Sequence, residues 1–506
     1  MLKNDFAAAG REYRRLLIAL MVVLYAGWAL FGLTSSPGFM IDESPIIDAA
    51  HTFQELGYLA VRTAGPGFHH YEDAYLSQMP LHPLVLGLWF KLWGFGLFQG
   101  RLLSVLLACV ALWMVARSMA DFSIAAILIA IVLLGCDPMF SERARLARYD
   151  WLAVVFGFLA WRTVALRRES EGPLTIPVAA LVGMALGLAT SAHLLYGFSF
   201  AVTACVVVLV DTKPRRAIVL DSVMAAACVA TLIPSAIYMS RHHGAFEGQL
   251  IFQIKTMGAH SQTVGAWLHE QTAKYVVYFA KTPMWLVLGC FSIGLGAVSW
   301  RRATMAGDVR RARVLRNLLV STAAMTVTVN LGSPSGTWYL LILAPFYAVL
   351  GGATIDLARP GFERKIGAVL VALALINGIG ASLLGRTYSA MQMWGTRDAS
   401  RLQPTVSSMI PAGSTVFGDR RLIFEASKGG WTLFTDHEIL PGDTVALAKI
   451  RYDFLALSDD VRKSPWLPMA DYQKFATAQP PPSPFRLPSV NEKANPMRID
   501  FYRRRD

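Results

Sequence analysis

Long apolar runs alternate with short polar segments along most of the chain. Each run approaches the length of about 20 residues that a helix needs to cross the hydrocarbon core of a bilayer. The pattern therefore predicts an α-helical integral membrane protein with about eleven transmembrane helices. The predicted spans are centred in Leu16–Leu33, Leu102–Ala116, Phe122–Cys136, Trp151–Leu166, Ile176–Ser191, Leu194–Val210, Ile218–Ile237, Pro283–Trp300, Val314–Leu331, Trp338–Ala353 and Ile366–Leu384.

The polar segments between the spans predict the orientation of the chain. Arg and Lys near the ends of spans favour the cytoplasmic side, and the basic loops alternate in a way that places the N-terminus in the cytoplasm. The outer side then receives the loops 34–100, 137–150 and 238–282 and the tail 386–506. The apolar stretch Leu81–Trp93 is too short to cross, and we predict that it lies along the outer interface.

Composition agrees with a membrane protein and argues against nucleic-acid binding. The 506 residues are 54% hydrophobic and 16% charged, and the mean hydropathy of +0.43 is above that of ordinary soluble domains. The net charge of +13 comes mostly from short loops between apolar runs, so it reflects orientation. The five cysteines lie within or at the edge of apolar runs, and we expect no structural disulfide outside the membrane.

The tail has a different pattern from the transmembrane part, residues 1–385. Runs rich in β-formers at Ser414–Phe417, Thr444–Ile450 and Tyr452–Leu457 are separated by turn residues, which predicts short strands. A length of roughly 100 residues suits one compact domain. We therefore predict that residues 386–506 form a small extracytoplasmic C-terminal α/β domain.

An acidic pair, Asp42 and Glu43, follows the first apolar run. An ionised carboxylate next to hydrocarbon is costly unless something uses it, so both residues are candidates for a catalytic site. Poor solvation raises the basicity of a carboxylate, which suits Asp42 to remove a proton from a hydroxyl group. The alternative is that Asp42 or Glu43 only caps the following helix, where acidic side chains are favoured.

The second outer loop concentrates charge near the membrane surface. Arg143, Arg145 and Arg148 lie on the side where the orientation rule disfavours cations, and their guanidinium groups suit phosphate oxygens. This pattern predicts a site for an anionic lipid head group. The alternative is that Arg148 and Asp150 form a structural ion pair while the other two arginines contact ordinary lipid phosphates.

The third outer loop offers both cations and metal ligands. Arg241 and Lys255 are further candidates for contact with a phosphate group. His242, His243 and Glu247 have the ligand chemistry of a site for a divalent metal ion. Their spacing specifies no coordination geometry, so a solvated and partly helical loop is the simpler explanation of most of these residues.

Several of these features together resemble the GT-C superfamily of membrane glycosyltransferases. Within it, the chain looks like the bacterial branch related to protein O-mannosyltransferases and aminoarabinose transferases, over roughly Leu16–Leu384. The matching segments are Asp42-Glu43, Pro80-Leu81-His82-Pro83, Trp89–Gly94, Arg101 with Ser104, Arg143–Asp150 and Trp338–Pro345.

The resemblance implies an enzyme that transfers a sugar from a polyprenyl-phosphate donor, with inversion, on the outer face of the cytoplasmic (inner) membrane. Lipid A of lipopolysaccharide, another envelope glycan, a lipid and a protein are all open as acceptors. Asp42 would be the general base, next to Glu43, and Asp150 would support the site. The three arginines of the second outer loop would bind the donor phosphate. No nucleotide cofactor is implied, and a divalent metal ion is left open.

The chain departs from the aminoarabinose transferases at two points. Gln78-Met79 precedes Pro80, where those enzymes have an acidic and a basic residue, and Pro45 stands where they have an arginine. These changes argue against aminoarabinose as the sugar. Cations of the third outer loop, Arg241 or Lys255, would then take part in holding the donor phosphate.

Two other classes of function are compatible with the sequence. A multi-span transporter of a lipid-linked or small polar substrate would place ionisable residues near the bilayer middle, whereas here polar residues gather in the outer loops. A non-catalytic lipid-binding or assembly protein would function without the carboxylate of Asp42.

Overall fold

A helical membrane part and a small sheet domain make up the fold, in agreement with the predicted fold class. The computed structural model describes residues 2–40, 42–64, 69–167, 172–251, 263–281, 283–332, 337–435, 447–459, 461, 467–485 and 497–505.

The helices occupy most of the chain up to residue 409, and the strands lie after it. The α-helices are α1 Leu2–Leu30, α2 Glu43–Leu56, α3 Leu81–Trp93, α4 Leu97–Ser118, α5 Ile124–Cys136, α6 Pro138–Arg143, α7 Asp150–Ala165, α8 Ile176–Ala192, α9 Leu194–Asp211, α10 Pro214–Arg241, α11 His243–Ala245, α12 Val264–Lys281, α13 Pro283–Met305, α14 Val309–Gly332, α15 Ala344–Leu357, α16 Phe362–Gly378, α17 Gly385–Gln392, α18 Gln403–Met409 and α19 Ile423–Gly429. The strands are β1 Thr415–Gly418, β2 Thr432–Phe434, β3 Phe454–Leu457, β4 Tyr472–Ala478 and β5 Ile499–Arg504.

Within the described ranges, eight helical segments are long and apolar enough to cross a membrane. They lie in α1, α4, α9, α10, α13 and α14 and in the segments Tyr339–Leu357 and Phe362–Gln392. The other three predicted spans coincide with α5, α7 and α8, which have 13, 16 and 17 residues. Their lengths of roughly 20–26 Å fall short of a hydrocarbon core of about 30 Å. The protein is a multi-span membrane protein, and the number eleven stays a prediction.

Helices α8 and α10 pack closely because glycine replaces larger residues at their interface. A Cβ atom added to Gly183 would lie 2.2 Å from the carbonyl oxygen of Met224, and one added to Gly187 would lie 2.6 Å from the Cβ atom of Thr231. The two glycines are about one turn apart, which is the spacing that brings membrane helices into close contact. This packing holds the end of α8, which precedes His193.

The C-terminal sheet is mixed, with the strand order β2-β1-β3-β5-β4. Strand β1 pairs in parallel with β2 and β3, and β5 pairs antiparallel with β3 and β4. Helix α19 makes the crossover that parallel neighbours require between β1 and β2. The strands predicted at Ser414–Phe417 and Tyr452–Leu457 correspond to β1 and β3. The strand predicted at Thr444–Ile450 is wrong in its described part, because Leu447–Ile450 forms a turn.

The sheet domain packs against α2, α3 and the segment between them. Phe424 of the domain belongs to the same buried hydrophobic cluster as Ile47 of α2 and Phe90 of α3. The backbone N–H of Thr435 donates a hydrogen bond to the carbonyl oxygen of Thr63 across the same boundary, at 3.0 Å. Helix α3, which the sequence analysis expects not to cross the membrane, packs along α2. The domain therefore packs against α2, the helix that begins directly after Asp42 and includes Glu43 in its first turn.

Candidate functional site

Glu43 and Arg101 form a fully buried ion pair that joins the first turn of α2 to α4. The guanidinium group donates to both carboxylate oxygens, through Nε at 3.0 Å and Nη2 at 2.7 Å. Its remaining N–H groups bind the carbonyl oxygens of Leu33, Pro37 and Gly38 at 2.7–3.1 Å. All five guanidinium N–H groups are thus used, and the segment after α1 is fixed in one conformation.

Glu43 also accepts two backbone hydrogen bonds. The N–H of Met40 donates to Oε2 at 2.9 Å, and the N–H of Ala147 donates to Oε1 at 2.8 Å. With the two bonds from Arg101, each carboxylate oxygen accepts twice, which fills the acceptor capacity of an ionised carboxylate. This geometry suits Glu43 to positioning the neighbouring backbone, and its direct catalytic role stays a prediction.

Arg148 joins the two aspartates that the sequence singles out. Its Nη1 donates to Oδ2 of Asp42, and its Nε donates to Oδ2 of Asp150 at 2.8 Å. The side chains of Arg148 and Asp150 are 4% and 3% exposed, whereas that of Asp42 is 34% exposed. Asp42 is therefore the member of this cluster that solvent or a substrate can reach.

Asp42 occupies the position before the first turn of α2, but its side chain makes no capping hydrogen bond there. The carboxylate binds Arg148 instead. The structure thus rules out side-chain capping by Asp42. It also shows the ion pair of Arg148 and Asp150 that the sequence analysis left as an alternative, extended by Asp42 into a three-residue cluster.

The charge of Arg148 is held by its partners. Burial alone would lower the pKa of Arg148, but Asp150, Tyr149 and Asp42 together raise it well above its usual value. Nη2 of Arg148 also donates to the Tyr149 hydroxyl at 3.2 Å. The guanidinium group is therefore a permanent cation that orients both carboxylates.

Aromatic rings pack around His193 beside the Asp42–Arg148–Asp150 cluster. The ring of His193 stacks on Tyr196 with centroids 4.1 Å apart, and lies 4.9 Å from Tyr149 and 6.0 Å from Tyr339. Nε2 of His193 is 3.8 Å from Oδ1 of Asp150. His193 is not among the candidate site residues named from the sequence. Its only sequence signal is that it interrupts two apolar runs.

A second buried imidazole, His82 of α3, faces the same charges. Burial lowers the pKa of His82 to about 4, while Asp150 raises it and Arg148 lowers it further. Neither ring nitrogen has a hydrogen-bond partner among the described residues. His82 is therefore neutral near pH 7, with a donor and an acceptor free for a polar ligand. In the sequence, His82 stands out only as part of the Pro80–Pro83 motif, which indicates no chemical role for it.

The other two arginines of the second outer loop are buried in different surroundings. Burial and Arg148 lower the pKa of Arg143, whereas Asp150 raises it, so Arg143 lies within electrostatic reach of the cluster. Arg145 instead donates to the carbonyl oxygen of Phe31 at 2.6 Å and lies over the ring of Trp28. Burial, Arg386 and Arg101 lower the pKa of Arg145 to about 9.

The third outer loop places its candidate metal ligands at the surface. His243 and Glu247 are both exposed, with 3.8 Å between Nδ1 and Oε2. The ring of His242 packs on Tyr238 with centroids 4.9 Å apart. In the described ranges no group of three His, Cys, Asp or Glu residues is suited to hold a metal ion. His242, His243 and Glu247 therefore do not fit a three-ligand site.

The structure says less about Arg241 and Lys255, the two remaining residues that are predicted to contact phosphate. Arg241 is exposed at the C-terminal end of α10. Lys255 lies outside the described residues. Of the residues predicted for the site, the structure brings together Asp42, Asp150 and Arg148, with Arg143 nearby.

No family model and no curated protein matches the sequence. Two solved structures of ArnT from Cupriavidus metallidurans match nearly the whole chain. The one bound to undecaprenyl phosphate has a TM-score of 0.61 at 14% identity and covers 96% of this chain and 98% of that chain. The apo structure has a TM-score of 0.61 at 12% identity and covers 98% of both chains.

A structure of arabinofuranosyltransferase AftD from Mycobacteria also matches, with a TM-score of 0.49 at 13% identity. The match covers 97% of this chain and 40% of that chain, and its TM-score is too low to support an argument. The likeness to the two ArnT structures shows that this chain shares their fold.

Proposed function

We propose that this protein is a GT-C-type glycosyltransferase that moves a sugar from a polyprenyl-phosphate donor to an acceptor hydroxyl, with Asp42 as the general base. The observation that carries the proposal is the accessible carboxylate of Asp42, held by buried Arg148 beside buried Asp150. The fold supports the donor class, because ArnT has the same fold and its solved structure holds undecaprenyl phosphate.

The reaction requires one proton transfer and one bond exchange. Asp42 accepts the proton of the acceptor hydroxyl while the hydroxyl oxygen forms a bond to the anomeric carbon of the sugar. The bond between that carbon and the donor phosphate oxygen breaks on the opposite face, and polyprenyl phosphate leaves with the electron pair. The product is therefore inverted at the anomeric carbon.

Charge on the leaving phosphate must be stabilised as it develops. Arg143 is our first candidate for this role, because it is buried within electrostatic reach of Asp150 and Arg148. Arg145 is a weaker candidate, because it binds the backbone of α1. Arg241 and Lys255 remain proposed contacts of the third outer loop with the donor.

Supporting residues orient the reacting groups. Arg148 fixes Oδ2 of Asp42, and Asp150 fixes Nε of Arg148. Burial lowers the pKa of His193 to about 4, as it does for His82, so both imidazoles are neutral near pH 7. Both are placed to exchange hydrogen bonds with sugar hydroxyls, and the tyrosine rings beside His193 offer apolar faces to a sugar ring. No step is assigned to a metal ion, because the described residues do not provide a three-ligand group.

The proposed setting is the inner membrane, with the N-terminus in the cytoplasm and the Asp42 site and C-terminal domain outside. The donor then arrives laterally through the bilayer, and no nucleotide cofactor is required. Lipid A, another glycan, a lipid and a protein remain the proposed acceptor classes.

The decisive experiment compares envelope lipids, glycans and proteins by mass spectrometry in three strains. One carries the wild-type protein, one lacks it and one carries Asp42→Asn. We expect a pentose- or hexose-sized mass increment in the wild type alone, and its carrier identifies the acceptor. Asp73→Asn is the matched control, because Asp73 is an exposed carboxylate of the same loop that pairs with exposed His70.

Each alternative class of function gives a different outcome. A transporter or a non-catalytic lipid-binding protein predicts that purified protein transfers no sugar from a polyprenyl-phosphate donor in detergent. Retention of the mass increment in Asp42→Asn cells, together with its loss in the deletion strain, would show that another group is the base.

A further inference from the structure

A pocket of about 250 Å³ lies where the sheet domain meets the helical membrane part. Its walls come from the segment after α1, the turn between α3 and α4, the segment before α18, and α19. We call it the junction pocket. Its lining includes Thr34, Phe39, Phe95, Gln99, Arg397 and Glu425. The volume lies just below the range of roughly 300–1,000 Å³ for pockets that take drug-sized ligands, so the pocket suits one small ring.

The junction pocket shares a backbone segment with the Asp42 site. Phe39 lines the pocket and precedes Asp42 by three residues, so their Cα atoms lie within about 11 Å of each other. The carbonyl oxygen of Gly38 accepts a hydrogen bond from Arg101 at 3.1 Å, and Arg101 also binds Glu43, the chain neighbour of Asp42. This wall of the pocket is therefore held in a fixed position relative to the proposed base.

Aromatic rings form one wall of the junction pocket. Phe424 packs on Phe95 with ring centroids 4.8 Å apart and on Phe39 with ring centroids 6.2 Å apart. Phe98 also lines the pocket and is 43% exposed, so part of its ring is open to a ligand. Such rings offer apolar surface to the C–H groups of a sugar ring.

Polar side chains without protein partners also line the junction pocket. Arg397 makes no hydrogen bond or ion pair with any described residue, and its guanidinium group lies against Gly38. Glu425 is 1% exposed, and neither of its carboxylate oxygens has a hydrogen-bond partner in the described part of the chain. A buried polar group without a partner is costly, so a ligand that supplies the missing hydrogen bonds gains affinity there.

This combination fits an uncharged ring with several hydroxyl groups. A hydroxyl group both donates and accepts, so neighbouring hydroxyls of one ring can accept from Arg397 and donate to Glu425. An anion would meet the carboxylate of Asp398, which also lines the pocket. An apolar group would cover the aromatic wall but leave Arg397 and Glu425 without partners.

We propose that the junction pocket binds one sugar ring of the acceptor, so that the acceptor is a glycan or a glycolipid. This inference rests on the proposed function, because a ring held in the pocket keeps a hydroxyl group of a neighbouring sugar near Asp42. Fixing the acceptor beside the base removes much of the entropic cost of bringing the two together.

The first test is saturation-transfer NMR of the purified full chain in a detergent without a sugar head group. The probes are glucose, mannose, galactose and N-acetylglucosamine. We expect saturation transfer to at least one of them in both the wild type and Asp42→Asn, because Asp42 does not line the pocket. Arg397→Gln and Phe98→Ala should each weaken this binding about fivefold, as expected for the loss of one contact.

Arg401→Gln is the matched control for Arg397→Gln. Arg401 is exposed, follows Arg397 by four residues and does not line the junction pocket. Sugar binding by this variant should equal that of the wild type. Thermal unfolding of each variant verifies that it is folded.

The second test separates recognition of the acceptor from chemistry. In transfer assays with the acceptor identified by mass spectrometry, we expect Arg397→Gln to raise KM for that acceptor about fivefold. The values of kcat and of KM for the polyprenyl-phosphate donor should stay near those of the wild type, because the lost contact binds the ground state and the transition state alike.

Four results would overturn the inference. The wild type would bind none of the four sugars, or a folded Arg397→Gln, Phe98→Ala double variant would bind them as the wild type does. An active enzyme with an unchanged KM for the acceptor in Arg397→Gln would overturn the pocket and leave the proposed function standing. A wild type that binds sugar through Arg397 but transfers none would overturn the proposed function, and with it the role of the pocket for an acceptor.

Discussion

Glu43 and Arg101 bind each other through two hydrogen bonds at a position where both side chains are completely buried. Glu43 is the chain neighbour of Asp42, and it also binds the N–H of Ala147, the chain neighbour of Arg148. The buried pair therefore holds both backbone segments that bring Asp42 and Arg148 together. The accessible carboxylate is positioned by a residue that is itself inaccessible.

Breaking this buried pair should destabilise the protein. We expect Glu43→Gln or Arg101→Met to lower the free energy of unfolding by about 3–5 kcal/mol, because each leaves an uncompensated buried charge. The measurement is thermal unfolding of the purified protein. The control is Glu55→Gln, which removes an exposed pair with Arg62 and should cost less than about 1 kcal/mol. A cost as small as that of the control would contradict the positioning role of Glu43.

Removing the proposed base should abolish transfer but preserve the fold. We expect Asp42→Asn to lower kcat about 10²- to 10⁴-fold, the usual contribution of general base catalysis. Its melting temperature should stay near that of the wild type, because Asp42 is partly exposed and Asn has the same shape. Sugar transfer from a polyprenyl-phosphate donor to the identified acceptor is the measurement. A variant that is folded and fully active would rule out Asp42 as the base.

Replacing Arg148 by lysine should affect chemistry more than binding. Lysine keeps the positive charge but cannot bind Asp42 and Asp150 with separate nitrogens of one planar group. We therefore expect Arg148→Lys to lower kcat by at least about tenfold while KM for the donor changes little. If Arg148→Lys instead raised KM for the donor and left kcat unchanged, Arg148 would bind the donor phosphate and would not orient the base.

Glu425 should make the stability of the protein depend on pH. Its side chain is buried, neither carboxylate oxygen has a hydrogen-bond partner in the described ranges, and burial raises its pKa from 4.5 to about 7. Lys428 lowers this pKa and Asp398 raises it, both less than burial does. The folded state therefore favours the neutral acid, and that stabilisation is complete below about pH 4.5 and lost as the pH rises through about 7.

The matching measurement compares the melting temperatures of the wild type and Glu425→Gln across this range. Glutamine stays neutral, so we expect the variant to gain stability relative to the wild type as the pH rises from about 5 to about 8, by up to about 3 kcal/mol. A constant difference between the two proteins over that range would show that Glu425 does not titrate there.

The sequence by itself determined the membrane character of the chain, the position of most spans and the small domain after them. These features depend on the thickness of the bilayer and on the periods of helices and strands, which act on consecutive residues. The cost of a charge next to hydrocarbon also acts locally. It therefore singled out Asp42, the arginine-rich loop and Asp150 before any contact was known.

Only the tertiary structure decided which of these charges meet and what each one does. Asp42 and Arg148 are 106 positions apart, and Glu43 and Arg101 are 58 apart. The neighbours Asp42 and Glu43 look alike in sequence, yet one is accessible and the other is enclosed. The physical reason is that burial and partner choice depend on how distant segments pack, and no local pattern encodes that packing.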